Sequence, residues 1–152
     1  MEALGRAIID AIAEEWRKQG HRLTGAFEEA MSYEVNGDEL IIYDNTARGY
    51  GKILDEGVPA DRIPYTVGGG RRGGTSKYIQ GLASYAQLRM GADSRTALSI
   101  AFAIAAKHAR EGMPTIASAR FSQTGKRTKF VEDSVPRIDA LVEEYLEKRI
   151  AI

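Results

Sequence analysis

At 152 residues, with 43% hydrophobic and 28% charged residues, the chain is long enough for one domain with its own core and too apolar for wholesale disorder. It has no cysteine, which excludes disulfides, thiolate metal sites and thiol catalysis and agrees with a reducing compartment. The formal net charge is zero, but residues 1–60 carry 6 Lys+Arg against 12 Asp+Glu, residues 61–129 carry 12 against 3, and residues 130–152 carry 3 against 6.

Leu4, Ile8, Ile9, Ile12 and Trp16 fall on one helical stripe that Gly20 ends, so residues 2–19 read as an amphipathic helix. Glu2, Arg6 and Asp10 interrupt any apolar core there, which argues against a signal peptide. Thr24 is placed to cap a short turn or helix through Ala30. Residues 32–36 and 39–44, rich in Tyr, Val and Ile, flank Asn36-Gly37-Asp38 and predict an antiparallel hairpin. A short helix is expected over 47–56, ended by Gly57 and Pro59. Residues 58–75 have no period, contain five glycines with Arg62, Arg71 and Arg72, and read as a long loop, of a length that tends to be functional or disordered.

Helical spacing returns over 77–90, closed by Gly91. Asp93 or Ser94 then caps a helix to about Glu111, stopped by Gly112, Met113 and Pro114. The low-polarity run 97–106 inside it is far short of the ~20 residues of a membrane span and reads as a buried helix. Alternation in 119–123 and 128–131 around Thr124-Gly125-Lys126 predicts a second hairpin. A last helix is expected with Asp133 or Ser134 as cap and Ile138, Leu141, Val142 and Tyr145 inward. With no repeat and no linker, the expected fold is a single α+β domain over 1–152. Its antiparallel sheet is built from two hairpins and packed by four or five helices, with the Gly/Arg-rich loop at 58–75.

No enzyme signature survives inspection. In the run beginning at Gly68, Gly74 stands where a phosphate loop needs lysine, Lys77 comes too late, and no strand feeds the loop. Gly49-Tyr50-Gly51 lacks the third glycine of a dinucleotide fingerprint and reads as tight packing. His21 and His108 are the only histidines, and neither has a His-Glu-x-x-His neighbour or a Gly-x-Ser-x-Gly elbow to work with. The pairs Glu14–Glu15, Glu28–Glu29 and Glu143–Glu144 are sequence neighbours, which point about 100° apart on a helix and make solvated faces. The expectation is therefore no enzyme, no cofactor and no metal.

Two binding readings remain. Arg71 and Arg72 among glycines, with Lys126, Arg127 and Lys129, could contact phosphates as a flexible arm, making the basic 61–129 segment a stand-alone nucleic-acid-binding module. Alternatively the loop orders only against a neighbouring subunit, and the charge blocks pack head to tail between copies.

Further motifs narrow this choice. Leu23-Thr24-Gly25-Ala26-Phe27 with Ser32-Tyr33-Glu34-Val35, then Gly49-Tyr50-Gly51-Lys52-Ile53-Leu54-Asp55-Glu56-Gly57, resemble the tail-completion or head–tail joining proteins of tailed bacteriophages. Glu111-Gly112-Met113-Pro114-Thr115 and the 120–127 segment are similar to that family's blocks before its C-terminal helix, so the resemblance covers about residues 22–146. It implies a non-enzymatic virion protein of the neck, made in the host cytoplasm, in a tail-completion or tail-terminator role. The implied assembly is a homo-oligomeric ring on the order of six or twelve subunits, between head connector and tail tube, with DNA in the lumen and no membrane. Arg62, Arg71, Arg72, Lys77, Lys126, Arg127 and Lys129 are the expected contacts to subunits, partners or lumenal DNA.

Overall fold

The computed structural model describes residues 1–69 and 76–151. Its elements run α1 (Glu2–Lys18), α2 (Ala26–Ala30), β1 (Met31–Asn36), β2 (Glu39–Asp44), a 3-10 turn (Ala47–Gly49), α3 (Tyr50–Glu56), a second 3-10 turn (Ala60–Arg62), α4 (Lys77–Met90), α5 (Ser94–Glu111), a 3-10 segment (Ile116–Phe121) and α6 (Phe130–Ile150). The protein is mostly helical, at 65%. It forms two compact units: residues 1–56 with 119–152, and residues 57–118.

In the first unit, α1 buries Leu4, Ile8, Ile12 and Trp16, the stripe its 3.6-residue spacing predicts. That stripe packs against Phe27 of α2, Phe130, and the partly buried Ile138, Leu141 and Tyr145 of α6. The two helices run antiparallel: the Met1 amino group donates to Tyr145 Oη (2.9 Å) at one end, and Gln19 Nε2 donates to Asp133 (3.3 Å) and to the Thr128 carbonyl (3.1 Å) at the other. The hairpin pairs Tyr33 with Ile42 and Val35 with Leu40. Gly37, at φ +64°, supplies the left-handed conformation that its two-residue loop needs. β1 alternates half-buried and exposed, and Tyr33 on the inner face reaches α1 where only Gly5 stands; a Cβ there would lie 2.7 Å from the ring.

The second unit is a helical hairpin. Ser76 Oγ accepts from Ile79 N (3.1 Å) to start α4, and Asp93 accepts from Arg95 N and Thr96 N (both 3.0 Å) to start α5. Ala97, Ala101 and Ala105 of α5 are fully buried, and small side chains let α4 approach closely and insert Ile79 and Ala86. Val58 and Met113 exchange two backbone hydrogen bonds of 2.7 Å, and the Met113–Pro114 bond is cis.

Three expectations need correction. The second hairpin does not form: residues 116–121 are a 3-10 segment, and α6 begins at Phe130, so the only sheet among the described residues has two strands. The reason is tertiary. Phe130 is 1% exposed, edge-on to Trp16 and Phe27, and that burial overrides the local alternation. Second, neither Asp133 nor Ser134 caps α6. Lys129 stands before it at φ +59°, and Asp55 of α3 serves the helix start from a distance: its backbone carbonyl accepts from Lys129 N (2.7 Å) and its carboxylate Oδ1 from Val131 N (3.0 Å). Third, the run 97–106 is buried on one face only; Leu98 is 37% exposed. Of the expected 58–75 loop, the described part holds the Val58 bridge and the 3-10 turn at 60–62, and residues 70–75, with Arg71 and Arg72, lie outside the described residues.

Candidate functional site

The predicted contact residues are divided between the units. Arg62 is exposed at the end of the 60–62 turn, and Lys77 is exposed at the first position of α4, where the helix dipole disfavours a cation. Arg71 and Arg72 lie outside the described residues. The chain brings Lys126, Arg127 and Lys129 together in the segment leading into α6, but as three different environments. Lys126 Nζ binds the Asp133 carboxylate (2.9 Å), whose hydrogen bonds hold the ammonium pKa above its ordinary value. Lys129 Nζ lies 3.1 Å from Glu132. Arg127 is half-buried, with Nη2 at 3.5 Å from His21 Nδ1. Two of the three cations thus have carboxylate neighbours, and the third faces inward. They do not form an open phosphate-binding row.

What the sequence reading missed is the aromatic nest that Arg127 enters. Trp16, 2% exposed, stacks on Phe27 (centroids 4.0 Å, 21°), leans on His21 (4.6 Å) and meets Phe130 edge-on (5.0 Å, 78°). Tyr50 approaches Trp16 edge-on at 6.4 Å. An open cleft of about 400 Å³ is lined here by Trp16, His21, Leu23, Phe27, Asn45 and Tyr50 among others. Among the described residues, Trp16 Nε1, His21 Nε2 and Glu28 Oε2, all from residues lining the cleft, are buried without a hydrogen-bond partner. Burial, then the Arg127 cation, pushes the His21 pKa down to about 4, so the ring is neutral at physiological pH and accepts the Arg127 donor at Nδ1. The lone tryptophan and the histidine just past Gly20 were the only hints in the sequence. The cleft is made by residues from three separate stretches.

In the second unit, His108 is buried and its Nδ1 is 2.7 Å from Tyr78 Oη. Burial lowers the histidine pKa and raises the tyrosine to about 12. A neutral imidazole hydrogen-bonded to a neutral phenol inside a helical hairpin does structural work. Among the described residues no group of three His, Asp or Glu side chains could hold a metal ion, and no helix is long and apolar enough to cross a membrane.

The electrostatic pattern is clearer than any pocket. The first unit carries 13 Lys+Arg against 18 Asp+Glu, net −5; the second carries 8 against 3, net +5. Part of the basic 61–129 block, including Lys126, Arg127 and Lys129, belongs to the acidic unit. In comparisons with known proteins, no family model matches the chain, and neither a curated protein nor a solved structure matches it.

Proposed function

We propose that this chain is a non-enzymatic structural protein of a tailed-phage virion. It assembles as a homo-oligomeric ring at the head–tail junction, in a tail-completion or tail-terminator role, with DNA passing through the lumen. The placement in the neck rests on the short motifs that resemble that family. The observation that carries the assembly reading is the division of a zero net charge into one unit of −5 and another of +5. Copies related head to tail would set opposite charges against each other, one way to make the two different, complementary surfaces of a heterologous ring contact. Arg62 and Lys77, exposed on the basic unit, are the described positions that suit an acidic neighbour or passing DNA. Arg71 and Arg72 keep that role as an expectation from sequence. A stand-alone DNA-binding module is less well supported, because Lys126 and Lys129 lie beside carboxylates and Arg127 faces the aromatic nest.

The test is quantitative mass spectrometry of purified particles, scaled to the portal protein. A copy number near one ring per particle is expected. Absence from particles overturns the assignment, and DNA binding by the isolated chain that weakens steeply with salt would replace it.

A further inference from the structure

Helix α6 carries two apolar stripes, and the α1 core uses one of them. Phe130, Ile138, Leu141 and Tyr145 point into the core. Rotated about 100° around the helix by the 3.6-residue period, a second stripe holds Val131, Val135, Leu146 and Ile150, which are 42%, 42%, 50% and 83% exposed. By the same geometry, Glu132, Asp139 and Glu143 border this second stripe on the side away from the core, and all three are exposed. The result is an apolar strip whose outer edge sets three carboxylates against one ammonium, that of Lys129 at 3.1 Å from Glu132.

The opposite surface exists in the same chain. At the corner where α4 turns into α5, Leu88 and Met90 are 65% and 55% exposed, among exposed Arg89 and Arg95. The acid of that corner, Asp93, holds the start of α5 through Arg95 N, Thr96 N and Thr96 Oγ1. The Asp93 carboxylate keeps its charge, so the corner is apolar with two guanidiniums, Arg89 and Arg95, against one carboxylate, on the unit of net +5.

We propose that the α6 strip of one copy docks on the α4–α5 corner of a second copy, apolar on apolar, with Glu132, Asp139 and Glu143 against Arg89 and Arg95. A second copy is the occupant because the charge complement of each surface is built into the other, in a chain whose total charge is zero. The two surfaces differ, so each copy still presents one of each after docking and the association propagates head to tail. This rests on the assembly reading above and names its interface.

The experiment uses two full-length variants. One carries Glu132→Lys, Asp139→Lys and Glu143→Lys; the other carries Arg89→Glu and Arg95→Glu. Sedimentation velocity at low and high salt should show wild-type self-association that weakens as salt rises. Each variant alone should associate at least about tenfold more weakly, through like-charge contacts. An equimolar mixture should recover assembly, since each reversed surface then meets its complement. Misfolding could explain a loss but not that recovery.

A wild type that stays monomeric, variants that assemble normally, or a mixture that fails to recover overturns the docking. So does loss of particle incorporation with self-association intact, which would assign the strip to another virion protein, or a cross-link between the two surfaces within one monomer. Failure of the functional reading is seen separately, as absence of wild-type protein from particles.

Discussion

Trp16 is the side chain on which the first unit's aromatic rings converge: Phe27, His21 and Phe130 all meet it. Its place on the α1 stripe was legible from spacing; its ring partners were not, since His21 and Arg127 meet across 106 residues of chain. The buried neutral histidines give a pH prediction. The unfolded chain takes up protons near pH 6.5, while folded His21 resists them down to about 4 and folded His108 is shifted the same way. Stability is therefore complete above pH 6.5 and falls as pH drops toward 4. The His21 share is about 2 kcal/mol after allowance for solvent screening. Thermal unfolding followed from about pH 7.5 to 5 should show the loss, and His21→Gln should flatten much of it. With only two histidines in the chain, a profile unchanged by that substitution would contradict the assignment. Gly51 gives a second prediction at this scale. A Cβ there would lie 2.6 Å from the Phe27 ring and closer still to the Asp44 carboxylate, so Gly51→Ala should cost about 1–3 kcal/mol in chemical denaturation. Gly49, with nothing near its added Cβ, does not share that packing role.

Local chemistry names most of the helices and the one hairpin, because caps and periods act over a few residues. Asn36-Gly37, Gly91 and Asp93 each stand at the boundary they suggest, while the Ser76 cap of α4 came from the structure. The start of α6 is different. Its donors are met by Asp55, 76 residues from Val131, and its first turn is held by Phe130 in the core. Strand-like alternation at 128–131 carried no trace of either partner. Asp55→Ala should therefore fray α6 and cost about 1 kcal/mol, as loss of an N-cap does, while Asp55→Asn keeps the acceptor and much of the stability. Amide exchange at Val131 would report this directly; unchanged protection in Asp55→Ala would show the cap to be inert. Ser76→Ala should lower the denaturant midpoint by a comparable amount through α4 alone.

Across the whole molecule, the charge blocks read along the chain become a division between two units, but with a different boundary. Sequence places 61–129 in one basic block; the contacts return 119–129 to the acidic unit, beside Glu132 and Asp133. Particle copy number and charge-swap recovery test the consequences at this scale, one for the role and one for the interface. The sequence by itself determined the α1 stripe, the first hairpin, the α4–α5 pair, the absence of disulfide chemistry and the opposition of charge. Each of those is written in composition or in neighbours a few residues apart. Tertiary structure alone decided that 119–131 would abandon the strand, that Arg127 would turn toward His21, and which apolar stripe of α6 would stay exposed. Those outcomes depend on contacts with residues about 75–145 positions away, where the free energy of packing Phe130 exceeds any local strand preference.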